Sequence, residues 1–122
     1  MDYMNEMNVE FIKSLYDSIV EENIQLYQEE FSNTVDSNEV LDEYWSKVLN
    51  FYEDLSEERK EILMSIIKQT IIDTISNVLG IIDGSSTLND CDLEPKLLLD
   101  NKDTENELQD TFLAYIEENH MK

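Results

Sequence analysis

The sequence predicts an all-α protein, a compact bundle of about four helices around a central apolar third helix, with one irregular loop region near residues 85–103. Three observations lead there. Glycine occurs twice and proline once in 122 residues, where average usage gives about eight and six. The closely spaced turns of a sandwich or barrel therefore have too few turn-formers. Apolar residues recur at spacings of three and four over most of the chain, and residues suited to helix capping stand at the ends of those stretches. At 14.4 kDa the chain fits a single domain, 1–122. Folding at this size buries roughly two-thirds of the surface the unfolded chain exposes, enough for a core without disulfide or metal.

Phe11, Ile12, Leu15, Tyr16, Ile19, Val20, Ile24, Leu26, Tyr27 and Phe31 give the first helix its apolar stripe, with Asn8 as N-cap and Glu10 favourable in the first turn. Asp17, Glu21, Glu22, Gln25 and Gln28 fall on its outer face. Ser32–Ser37 reads as a loop, and Asp36 with Glu39 as a capping box for a second helix running to about Leu55. Ser56 caps the third helix, whose Glu57 and Glu58 complement the dipole. From Ile62 to Ile82 its apolar residues cover well over half the circumference, which marks it as central. Gly84 ends it. Pro95 and the run Leu97–Leu99 sit in the irregular region, which is expected to hold at most one extended or single-turn element. Thr104 to Glu107 matches a capping box, with a fourth helix following to about Asn119.

Acidic residues outnumber basic ones 29 to 8, for a net charge of -21, and the pI is about 4.1. The charge is uneven. Residues 1–58 carry -14, residues 59–82 carry +1 and residues 83–122 carry -8. An acidic shell around one nearly neutral apolar segment is the pattern of a buried centre. Such a charge repels nucleic-acid phosphates and anionic lipid, so direct binding to nucleic acid or to a membrane surface is not expected. It attracts basic proteins, and it also serves solubility. The apolar stretch Ile62–Ile82 is interrupted by Lys68, Gln69 and Asp73 and reads as too polar to span a bilayer. The N-terminus has neither the positive charge nor the apolar run of a signal peptide. With one cysteine, Cys91, no internal disulfide forms, and a reduced cytoplasmic setting is expected.

Catalytic and cofactor chemistry finds little material. The single histidine, His120, is the third residue from the last, counting Lys122 as the first, a poor position for a general base. Cys91 stands between Asp90 and Asp92, whose charge disfavours a thiolate. Asp90, Asp92 and Glu94 resemble the first ligands of a calcium loop, but Pro95 replaces the required glycine and Asn101 the closing carboxylate. Glu117 and His120 have di-iron spacing, but a second copy of that motif is absent from the chain. No metal, cofactor or catalytic group is expected, and the chain reads as no enzyme.

Two surfaces remain. Gln69, Asp73, Asn77 and Gly80 line up along the third helix, where they either pair internally or form a polar groove. On the second helix Tyr44, Trp45, Phe51 and Tyr52 stand among Asp42, Glu43, Glu53 and Asp54. Core packing accounts for most of these rings, but adjacent aromatic pairs on one helix cannot all point inward. The exposed remainder is an anchor beside an acidic rim. Asp42, Glu43, Tyr44, Trp45, Tyr52, Glu53 and Asp54 are therefore the candidate partner-binding set. The expected function is a non-catalytic protein-binding domain of acidic inhibitor or immunity type that covers a basic protein surface. The competing expectations are a DNA mimic, built on acid pairs such as Glu21–Glu22, Glu29–Glu30 and Glu57–Glu58, and a self-associating structural protein, for instance a homodimer.

Overall fold

A computed structural model of the chain describes residues 5–32 and 42–120. The first helical rod is made of α1 (Glu6–Leu15), a π-helical segment (Tyr16–Glu21) and α2 (Glu22–Ser32), joined without a break because Leu15, Tyr16 and Glu22 all keep right-handed helical angles. Within the π segment the Glu22 N–H reaches back five residues to the Asp17 carbonyl, a widened turn that takes up one extra residue. Asn5, not Asn8, caps this rod, its Oδ1 accepting from the Met7 N–H at 2.9 Å. Both asparagines precede apolar periodicity and an acid, and the helix extends to the earlier one. Asn8 is instead fully buried, and its Nδ2 donates to the Thr104 carbonyl at 2.9 Å.

The second rod, α3 (Glu43–Glu53), starts at Asp42, whose Oδ1 accepts from the Trp45 N–H at 2.8 Å. The expected Asp36–Glu39 capping box lies outside the described residues. Ser56 caps α4 (Glu57–Asp83) as the sequence predicts, and Gly84 ends it at φ 85°, a left-handed angle at which a side chain is strained. α4 is about 40 Å long.

The irregular region holds a small hairpin of β1 (Leu98–Leu99) and β2 (Lys102–Asp103), paired antiparallel with Leu98 opposite Asp103. Asp100 and Asn101 turn it with φ of 50° and 64°, the doubly positive pattern of a I′ hairpin turn. Lys96 clamps it through Asp103 at 2.8 Å.

The last helix, α5 (Leu108–Asn119), does not use the expected capping box. Glu105 and Asn106 adopt positive φ and delay the helix. Thr104 turns inward, its Oγ1 donating to the Leu97 carbonyl at 2.9 Å. The first turn of α5 is capped from another helix, by Asp83 at the end of α4, whose Oδ2 accepts from the Gln109 N–H at 2.7 Å.

The all-α fold thus stands, with the core distributed over three rods. Ile12, Tyr16 and Val20 from the first rod meet Ile72 and Leu79 from α4 and Leu108, Phe112 and Ile116 from α5. Among the described residues, those with no exposure at all lie on the first rod and on α5, not on α4. The buried residues of α4 are Ile72, Leu79, Gly80 and Asp83, all in its C-terminal half, whereas Ile62, Ile66 and Val78 are exposed. The apolar arc is wider than the three neighbouring rods cover. By length and composition α4 does meet the requirement for a membrane-crossing helix, so its polar interruptions alone do not remove it from that class. In this fold its C-terminal half is a wall of the core.

Candidate functional site

α3 is the least anchored of the helices, with Leu49 as its one buried residue. Seven-residue spacing separates its rings onto two faces. Leu49 is buried and Tyr52 half-buried, and the Tyr52 ring stacks on Phe31 of α2 at 4.4 Å between centroids, with the Lys60 ammonium 5.0 Å from the Tyr52 ring centroid. Tyr44, Val48 and Phe51 form the other face. Tyr44 is 67% and Phe51 59% exposed. Together with Phe31, Tyr52 and Leu63 they line an open groove of about 380 Å³ whose walls are almost free of polar atoms.

The candidate partner-binding residues therefore do not make one patch. Tyr44 lines the groove, Trp45 touches it only through an edge contact with Tyr44 at 5.5 Å, and Tyr52 forms its floor. Val48, Phe51, Phe31 and Leu63 belong to the groove and were outside the predicted set. Lys47 also lines the groove, and the carboxylates stand at the ends of α3. Asp42 is engaged as the cap and Glu43 pairs with Lys47 at 3.3 Å across exposed surface. Glu53 and Asp54 are exposed at the other end of the helix. From Asp42 to Leu63 seven acids (Asp42, Glu43, Glu53, Asp54, Glu57, Glu58, Glu61) face three bases (Lys47, Arg59, Lys60), a net of -4. Two of those bases are already paired, Lys47 with Glu43 and Lys60 with Glu57.

The polar stripe of α4 is a surface feature. Gln69 donates to Asp73 at 2.8 Å, one turn on, and both are exposed, as is Asn77. Neither the α3 groove nor the loop cleft described next includes them. Gly80, the fourth member, is buried for a different purpose: the Gln109 side chain lies over it, donating to the Ser76 carbonyl at 2.9 Å and accepting from the Ser85 hydroxyl at 2.9 Å.

A broader cleft of about 640 Å³ opens beside the end of α4, where Asp83, Asp90, Cys91, Asp92 and Glu94 are among the lining residues. Among the described residues no three His, Cys, Asp or Glu side chains gather closely enough to hold a metal. At the π segment in the middle of the first rod His120 stacks on Tyr16, with ring centroids 4.1 Å apart, and Tyr115 meets Tyr16 edge-on. The Tyr16 hydroxyl is buried without a hydrogen-bond partner among the described residues. Burial, reinforced by the charge of Glu21, pushes its pKa from 10.0 up to about 12. On the hairpin, the hydrogen bond from Lys96 holds the Asp103 carboxyl below its usual range. None of these groups places a nucleophile beside a base. Comparison with protein families, curated proteins and solved structures finds no match to this chain.

Proposed function

We propose that this chain is a non-catalytic, cytoplasmic protein-binding domain that covers the basic surface of another protein, in the manner of an acidic inhibitor or immunity protein. The observation that supports this most is the outer face of α3. Two large aromatic rings, Tyr44 and Phe51, are left in water by the fold although each would bury substantial area, and carboxylates stand at both ends of the helix that carries them. Aromatic anchors are the residues that dominate binding energy at protein interfaces, and a charged rim accelerates encounter with an oppositely charged partner. The overall charge of -21 extends that attraction beyond the rim.

Affinity capture from the native organism's lysate, at low and at high salt, tests the reading. A basic protein retained in stoichiometric amount and released by salt is the expected result. Glu43→Lys with Asp54→Lys should then slow association with that protein by about tenfold and flatten its salt dependence. An association rate unchanged by the double charge reversal removes the proposal, and binding that duplex DNA competes away for several unrelated DNA-binding proteins replaces it with a DNA mimic.

A further inference from the structure

Tyr44 and Phe51 on α3 are exposed and line the groove, and Ile62 and Ile66 on α4 are exposed as well. A groove walled by apolar and aromatic side chains is the kind of exposed apolar surface that marks an interaction site.

We infer that the α3 groove receives an amphipathic α-helix carrying Lys or Arg beside its apolar face, contributed by a partner protein. This rests on the protein-binding function proposed above and names the element that the site takes. The form of the occupant follows from the groove walls. They offer almost no polar atoms, so an extended peptide would bury backbone N–H and C=O groups with nothing to pair them. A helix satisfies its own backbone and presents only side chains. Tyr44, Val48 and Phe51 span about 10 Å along α3, room for two turns of a partner helix with anchors at i, i+3 or i+4, and i+7. The charge of the occupant follows from the rim. Lys47 also lines the groove but is paired with Glu43; with a net of -4 over Asp42–Leu63, a second copy of this chain would bring two faces of net negative charge together, whereas a basic helix meets complementary charge.

Synthetic peptides of about 18 residues, long enough for appreciable helicity, provide the probe. One carries leucines at helical spacing among lysines and arginines. A second has the same composition with the leucines redistributed so that they share no face. Fluorescence anisotropy with the full chain should show the amphipathic peptide binding at least about tenfold more tightly than the redistributed one, because only the former fills the groove. Tyr44→Ala with Phe51→Ala should abolish that preference, whereas Leu93→Ala, an exposed leucine of the other cleft, should preserve it. Equal binding of the two peptides overturns the proposal, since it reduces the interaction to charge. So does a preference that survives the double substitution. A concentration-dependent dimer in sedimentation that the same substitution dissociates also overturns it, by giving the groove to a second copy. A captured native partner that binds the double variant as tightly as the wild type would reject the groove while leaving the protein-binding function in place.

Discussion

Replacing Gly80 by alanine separates helix propensity from tertiary packing. Gly80 lies inside α4, where glycine costs about 1 kcal/mol relative to alanine, so propensity alone predicts that Gly80→Ala stabilises. The packing reverses the sign. A Cβ at Gly80 would stand 2.7 Å from Gln109 Nε2 and 3.0 Å from its Cδ and Oε1. Gln109 is not free to swing away, because Nε2 donates to the Ser76 carbonyl and Oε1 accepts from Ser85. Displacing it removes two hydrogen bonds worth about 1 kcal/mol each. The net effect is a destabilisation of about 1 kcal/mol, or a fall in Tm of about 4 °C for a chain of this length. In a Gln109→Ala background the obstruction is gone, and the same Gly80→Ala change should stabilise by about 1 kcal/mol. Urea unfolding followed by circular dichroism, with Cm and m fitted for the four proteins of the cycle, gives the coupling directly, expected at about 2 kcal/mol. If Gly80→Ala stabilises both backgrounds equally, Gln109 yields without cost and its bonds do not hold α5 to α4.

Asp83→Ala removes the cap that α4 supplies to α5 and leaves the Gln109 N–H unpartnered, so a loss of about 2 kcal/mol is expected in the same unfolding experiment. Tyr16→Phe deletes a buried hydroxyl with no partner among the described residues and should raise stability by about 1 kcal/mol. Because the folded pKa of Tyr16 lies above the unfolded value of 10.0, at about 12, the unfolded chain loses its phenolic proton first. Stability should therefore fall as pH rises from about 10 to 12, and unfolding curves of Tyr16→Phe should lack that component of the decline.

Features governed by a few neighbouring residues were legible in the sequence, and those set by contacts across the chain were not. Ser56 and Gly84 cap α4 because each acts on the turn beside it. Thr104 fits the capping-box pattern equally well, yet its hydroxyl bonds to Leu97 and the cap comes from Asp83, twenty-six residues before Gln109. One signal was present. An acid in the last turn of a helix opposes the helix dipole, and such a local misfit is relieved when the carboxylate faces the N-terminus of another helix, as Asp83 does. Asp100 and Asn101 likewise carried a turn signature between Leu98–Leu99 and Lys102–Asp103. On α3 the sequence implied that some rings must be exposed, but it did not say which. Positions 44, 48 and 51 and positions 45, 49 and 52 are equally apolar stripes, and only the packing of Phe31 on Tyr52 selects the second as the inner one.

That selection also explains how a chain with so much acid keeps both a core and an exposed aromatic face. Burial is concentrated where the first rod, α5 and the second half of α4 meet, and there the carboxylate drawn inward, Asp83, serves as a cap. Toward α3 the fold relies on one buried leucine and one stacked ring pair. Truncating Tyr44 or Phe51 takes little from a surface already in water, so substitutions there change binding with small effect on stability. Substitutions at Phe112 or Leu108, both without exposure, do the reverse. The weak attachment of α3 is thus compatible with the stability of the bundle, and it leaves the Tyr44–Phe51 face open, as the proposed partner helix requires.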